Sequence, residues 1–213
     1  MSSVAVIDYG MGNLHSIAKA LQHADPGVTV HISADADIIQ NADRVVFPGV
    51  GAMRDCMNAL HELNLIDVIK AAAQDKPFLG ICLGMQALLT DSEENGGIAC
   101  INLFPGHGRR FADTLKDAQG QPLKIPHMGW NRVKQKPHPL WQDIPQDSRF
   151  YFVHSYFVTP DSEQESVATS DYPQPFTCAI AKDNVFAVQF HPEKSQTVGL
   201  QLLQNFLRWD GAA

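Results

Sequence analysis

Pro77-Phe78-Leu79-Gly80-Ile81-Cys82-Leu83-Gly84-Met85-Gln86 is an apolar run ending in one cysteine held between two glycines. The pattern predicts a strand, a very tight turn, and a helix over 83–89. A G-x-C-x-G core has the form of a nucleophile elbow, in which the reactive side chain stands on a strained strand-to-helix turn. Small residues on either side let the neighbouring backbone pass close by. At a helix N-terminus the macrodipole and the free backbone N–H groups favour thiolate over thiol, which makes Cys82 a candidate nucleophile.

Outward from the elbow, strand and helix signals alternate. Residues 4–7, 28–32 and 44–47 read as short strands; Leu14, Ile17, Ala18 and Leu21 recur at helical spacing, and 34–40 suits a short helix or turn. Met53, Met57, Leu60, Leu63, Ile66, Val68 and Ile69 mark one or two amphipathic helices before the elbow strand at 78–81. Strands separated by helices imply a parallel sheet, and right-handed crossovers put the elbow strand at its centre with Cys82 at the carboxyl edge. Gly10 and Gly12 begin a dinucleotide-like pattern, but its third glycine falls at His15, so a plain βα turn is expected.

From 91 to about 146, stretches such as Pro105-Gly106-His107-Gly108 predict loops and short antiparallel strands. Residues 150–153, 166–169, 177–181 and 185–190 are strand candidates, the last two joined by a Lys182-Asp183-Asn184 hairpin turn, and a helix follows over 197–209. The expected architecture is α/β: a single domain over 1–213, with a central mostly parallel sheet flanked by helices and a smaller antiparallel region.

A formal net charge of −7 argues against a nucleic-acid-binding face. Four cysteines without a C-x-x-C pair suggest neither a disulfide framework nor a zinc knuckle, and fit a reducing, cytoplasmic setting. The chain enters a strand-like run at Val4 without a basic leader, and its longest uncharged apolar stretch falls short of the ~20 residues a membrane span needs. A soluble protein, with no membrane, metal or cofactor, is expected.

A cysteine nucleophile needs a base, and nine histidines are available. His191 follows the strand candidate 185–190, so it stands at a strand end as Cys82 does. Glu193 lies two residues on, where an extended segment projects side chains the same way, and Pro192 restricts the backbone between them. Together they make nucleophile, base and orienting carboxylate, the generalised triad. Either residue alone would pass for a packed core side chain. His15, His23, His31, His61 and His138 read as surface or packing residues. Acyl transfer also needs an oxyanion hole: the backbone N–H of Leu83 is one donor, and Pro48-Gly49-Val50-Gly51 has the texture of a loop that supplies the other.

Gly80-Ile81-Cys82-Leu83-Gly84-Met85-Gln86 and Gln189-Phe190-His191-Pro192-Glu193-Lys194-Ser195 resemble the motifs of the triad-type (class I) glutamine amidotransferases. Asp8-Tyr9-Gly10-Met11-Gly12-Asn13-Leu14, Pro48-Gly49-Val50-Gly51-Ala52, Pro126-His127-Met128-Gly129-Trp130-Asn131 and Tyr151-Phe152-Val153-His154-Ser155-Tyr156 resemble the amidotransferase subunits of imidazole glycerol phosphate synthase. The resemblance covers essentially the whole chain. It implies glutamine hydrolysis and delivery of ammonia to a separate cyclase subunit, a (β/α)8 barrel, which forms imidazole glycerol phosphate and AICAR in histidine biosynthesis.

Carried over by motif, Cys82 is the nucleophile, His191 the acid/base, Glu193 its partner, and Val50 and Leu83 the oxyanion donors. Gly51, Gln86, Ser155 and Tyr156 would hold glutamine, while His127, Met128, Trp130, Tyr151 and Lys194 would face the partner. Tyr172-Pro173 departs from the Tyr-Gly usual in such subunits, which affects a local turn. Other triad amidotransferases, a stand-alone γ-glutamyl hydrolase and an inactive binding module are the alternatives. The H-M-G-W-N and Y-F-V-H-S-Y stretches speak against the first, and the intact Cys82, His191 and Glu193 against the last.

Overall fold

The computed structural model describes residues 2–117 and 119–212. Strands β1 (Ser3–Ile7), β2 (Thr29–Ser33), β3 (Arg44–Gly49) and β4 (Phe78–Cys82) are separated by helices α1 (Leu14–Ala24), α2 (Ala36–Asn41), and the pair α3 (Met53–Glu62) and α4 (Ile66–Asp75). The one-turn α5 (Leu83–Gln86) leads to β5 (Leu89–Ser92), β6 (Ile98–Ala99), β7 (Phe104–Arg110), β8 (His127–Arg132) and β9 (Lys134–Gln135). Then come β10 (Arg149–His154), β11 (Tyr156–Pro160), β12 (Ser166–Asp171), β13 (Pro175–Lys182), β14 (Val185–Val188) and α6 (Gln196–Arg208).

The main sheet runs β2-β1-β3-β4-β14-β13-β11-β7-β5-β6. From β2 to β14 all pairings are parallel; β13, β11 and β7 continue it antiparallel. The elbow strand is therefore central, with its cysteine at the carboxyl edge. Because side chains alternate along a strand, each of β1, β3, β4 and β14 feeds two cores. Val4, Val6, Val46, Leu79 and Ile81 pack with α1 and α6 through Ile17, Leu21, Leu203 and Phe206. Ala5, Ile7, Val45, Phe47 and Phe78 pack with Ile39, Met57, Leu60 and Ile69 of α2, α3 and α4. Burial on both faces is what makes these strands nearly continuous apolar runs. β8 and β10 form a separate antiparallel pair over this frame, with Phe150 of β10 stacked 4.1 Å from Phe190.

The helix after the elbow differs from expectation, and β11 is a strand that the candidates did not include. The helix after the elbow stops at Gln86 rather than running to 89, and Leu89 opens a strand. β7 is one of the short antiparallel strands expected of this stretch, although its Gly and Pro content also reads as loop: residues 106–110 pair with β11. Gly106 permits this, because a methyl group there would stand 2.6 Å from the Thr159 carbonyl oxygen. Among the described residues no helix is long and apolar enough to cross a membrane.

The tightest approach in the sheet is at Gly84, where a Cβ would collide with the Phe47 carbonyl oxygen of β3. Gly84→Ala should cost about 3 kcal/mol or more, the upper end of overpacking penalties, since the obstacle is backbone. Urea denaturation checks this, and a loss below about 1 kcal/mol would show that β3 and the elbow can part freely.

Candidate active site

The turn from β4 into α5 leaves Cys82 at φ +55°, ψ −110°, a left-handed conformation that a residue with a side chain rarely adopts. Leu79 and Ile81 below it are buried in the sheet, and the Gly84 contact above fixes the return of the chain, so the cysteine cannot relax. α5 spans a single turn, which gives little macrodipole, so stabilisation of a thiolate rests on neighbouring charge more than on the helix.

That charge comes from the carboxyl end of the adjacent strand. Beyond β14, Gln189 and Phe190 lead into His191, whose Nδ1 lies 2.9 Å from Glu193 Oε1, both side chains almost fully buried. His191 Nε2 is buried and has no hydrogen-bond partner among the described residues, and His191 lines the same cavity as Cys82. Ser195 holds this turn: its hydroxyl donates to the His191 carbonyl at 2.6 Å and accepts from the Tyr151 N–H at 3.0 Å, while the His191 N–H donates to the Tyr151 carbonyl. Burial alone would lower the imidazole pKa, but the Cys82 sulfur and the Glu193 carboxylate outweigh it and push it up to about 10. Burial pushes the thiols of Cys56 and Cys100 up to about 12 and raises that of Cys178, so those three stay protonated.

A cavity of about 290 Å³ joins these groups, lined by Val50, Gly51, Cys82, Leu83, Gln86, Glu94, Ser155, Tyr156 and His191, with Pro126, Val153 and His154. Every residue expected as nucleophile, base, oxyanion donor or glutamine contact thus reaches one pocket, with Glu193 behind the base. Tyr9 holds the oxyanion loop, its hydroxyl donating to the Pro48 carbonyl at 2.9 Å.

Sequence reasoning missed two polar groups here. Glu94 presents a carboxylate to the cavity, and its Oε2 accepts from the Met53 N–H at the start of α3. Gln189, fully buried, accepts from Gln86 Nε2 at 2.9 Å and turns its own Nε2 toward Cys82 Sγ at 3.6 Å. Glu94 sits in a Glu-Glu-Asn-Gly-Gly stretch that looks like a solvated loop, and Gln189 carried a signal in standing two residues before His191.

The expected partner residues divide. Met128 and Trp130 project outward from β8, 61% and 44% exposed; Trp130 meets Tyr151 across the β8–β10 pair, and Lys194 Nζ lies 5.9 Å over the Tyr151 ring. His127 is 4% exposed and points inward, because strand alternation puts it on the face opposite Met128 and Trp130. It cannot contact a partner on that surface.

The family model for class I glutamine amidotransferases matches residues 5–209. The chain belongs to that family. It is 64% identical to imidazole glycerol phosphate synthase subunit HisH of Methylococcus capsulatus, over 99% of this chain and 98% of the relative. It is 57% identical to the subunit of the same name from Pseudomonas putida, over 99% of each. Among solved structures, a glutamine amidotransferase (TM-score 0.70, 15% identity, 96% of this chain and 97% of that one) shares the amidotransferase's fold. So does PurLQS from Thermotoga maritima (TM-score 0.67, 16% identity, 97% of this chain and 98% of that one).

The raised imidazole pKa fixes a sign. A histidine held above its unfolded value of 6.5 adds stability that is fully present below that pH and is lost as pH rises through about 10. Chemical denaturation between pH 6.5 and 10 should show this loss in the wild type and a smaller one in Glu193→Gln, whose imidazole titrates lower. Equal losses would show that Glu193 does not support the imidazolium.

Proposed function

We propose that the chain is the glutaminase subunit of an imidazole glycerol phosphate synthase, hydrolysing glutamine to glutamate and passing the ammonia to a cyclase subunit. The observation that carries the chemistry is the unpartnered Nε2 of His191, held in the elbow cysteine's pocket with its other nitrogen on a buried carboxylate. The subunit assignment rests on relatives over 50% identical along nearly the full chain that bear that name. The whole chain, 1–213, acts as one amidotransferase domain.

In this reading the Cys82 thiolate attacks the side-chain amide carbon of glutamine. The resulting oxyanion is held by the N–H groups of Leu83 and Val50. His191, with Glu193 accepting from Nδ1, delivers a proton from Nε2 to the departing nitrogen, and ammonia leaves a γ-glutamyl thioester on Cys82. The now neutral Nε2 takes a proton from water, whose oxygen attacks the thioester and releases glutamate and the thiolate. Gly51, Gln86, Ser155 and Tyr156 form the glutamine cradle, and the Glu94 carboxylate matches the α-ammonium group of an amino-acid substrate.

Ammonia in water becomes ammonium and loses its nucleophilicity, so a glutaminase of this kind must sit against its acceptor enzyme. Val50, which lines the pocket, and Met128 and Trp130 of β8 are exposed apolar side chains, and Val153 both lines the pocket and pairs with Met128. Such a patch suits a docked cyclase, the (β/α)8 barrel, with Tyr151 and Lys194 at its edge. If completion of the oxyanion hole awaits reorientation of the Val50 peptide, docking also controls the rate.

Two outcomes test this. Glutamine hydrolysis should be slow in the isolated chain and rise at least tenfold with the cyclase and its nucleotide ligand; full activity of the lone chain would remove the docking control. Cys82→Ala should abolish glutamine-dependent product formation by the complex while ammonia-dependent synthesis survives. Loss of both together would refute the division of labour.

A further inference from the structure

His127 on β8 and His154 at the end of β10 are 4% and 5% exposed, and the reaction uses neither. His127 Nδ1 lies 2.9 Å from His154 Nε2. The second nitrogen of each ring settles where the protons are. His154 Nδ1 is 2.7 Å from the Tyr156 carbonyl oxygen, which can only accept, so His154 carries its proton on Nδ1. Burial lowers the His154 pKa to about 3 and that of His127 to about 4, so both rings are neutral at pH 7. His154 Nε2 is then a bare acceptor, and His127 donates to it from Nδ1. That leaves His127 Nε2 to accept from Asn131 Nδ2 at 3.3 Å. Asn131 Nδ2 also donates to the Asp171 carbonyl, and its oxygen accepts from the Arg132 N–H, which fixes the amide orientation.

The chain of bonds continues into the pocket. The Tyr156 carbonyl accepts a second time, from Gln86 Nε2 at 3.0 Å. That nitrogen also reaches Gln189, whose own amide points at the Cys82 sulfur. His127 is clamped between Tyr172 and Phe152, with ring centroids 4.0 and 5.0 Å away, so its ring cannot turn without unstacking. One ordered hydrogen-bond path thus joins β8, whose outer face carries Met128 and Trp130, to the nucleophile.

We propose that His127 is a positioning residue for the pocket: the Tyr156 carbonyl fixes His154 as the Nδ1–H tautomer, the His127 Nδ1–H satisfies its bare Nε2 and locks the ring, and His154 thereby holds the Tyr156 carbonyl and the Gln86 amide in place. Without that donor, His154 would be left with a buried unpaired acceptor. To relieve this the ring would tilt toward other donors or water, which loosens its bond to the Tyr156 carbonyl. Only the kinetic arm of the test rests on the glutaminase reading.

The first measurement is long-range 15N–1H correlation NMR of the histidine-labelled full chain at pH 7. It should show His154 protonated on Nδ1 with Nε2 bare. In His127→Phe, which keeps the ring stack and removes the donor, His154 should stay Nδ1–H while its Nε2 resonance moves downfield, to the position of a nitrogen that accepts no hydrogen bond. The KM for glutamine of the complex with the cyclase should rise about tenfold, the scale of one lost buried hydrogen bond, while kcat changes less than twofold. His127→Asn places an amide nitrogen where Nδ1 stood and should restore the Nε2 resonance and most of the KM. A purely packing role would lower the melting temperature without moving the Nε2 resonance or KM.

The proposal is overturned if wild-type His154 is the Nε2–H tautomer, or if His127→Phe leaves both the His154 Nε2 resonance and the KM at their wild-type values. Should His127→Phe fail to fold, the wild-type and His127→Asn spectra decide. If the wild-type complex does not turn over glutamine, the functional reading fails while the tautomer spectra still judge this inference.

Discussion

The backbone of the elbow passes so close to β3 that no side chain fits at Gly84, and most of the site depends on that approach. It closes the turn after Cys82 and holds the cysteine at φ +55°, a conformation costing of order 1–3 kcal/mol that the buried sheet on either side must offset. In return the sulfur stands clear at the carboxyl edge of a central strand, level with the ends of β3 and β14. Those neighbouring ends supply the Pro48–Gly51 loop and the His191 turn. Three adjacent parallel strands therefore deliver the candidate nucleophile, the candidate oxyanion loop and the candidate base to one cavity, each on a segment anchored in core.

Electrostatics completes what geometry begins. A one-turn helix offers the sulfur little dipole, and the imidazole that replaces it is itself buried, where burial opposes its charge. The Cys82 sulfur and the buried Glu193 carboxylate together reverse that balance. Ser195, bridging the His191 carbonyl to β10, ties the charged turn to the same strand pair that carries Met128 and Trp130. The site and the exposed apolar face share one rigid support, so load on one can be felt at the other.

Much of this was legible from the residues. The parallel half of the sheet announces itself in uninterrupted apolar runs, because strands buried on both faces need no polar alternation, and the elbow and the His191–Glu193 pair are short-range patterns with a stated chemistry. What was hidden depended on long-range pairing. β7 is rich in Gly and Pro, a composition that reads as loop as well as short strand, and the close passage of β11 at Gly106 explains why it makes a strand. The helix after the elbow looked longer because Leu88 and Leu89 continue the apolar run, whereas they pack into the second core and turn the chain back into the sheet. Glu94 comes from a loop whose composition signals solvent. His127 was readable in principle: taken as a strand, 127–132 alternates, and alternation alone separates it from Met128 and Trp130.

The central claim is that the strained cysteine, and none of the other three, carries the substrate's acyl group. The direct measurement is peptide mass mapping of the full chain, with its cyclase partner, after exposure to a glutamine-like chloroketone. One adduct per chain on Cys82, suppressed by excess glutamine, is the expected result. Adducts on Cys56, Cys100 or Cys178, or labelling of Cys82 that glutamine does not slow, would contradict it.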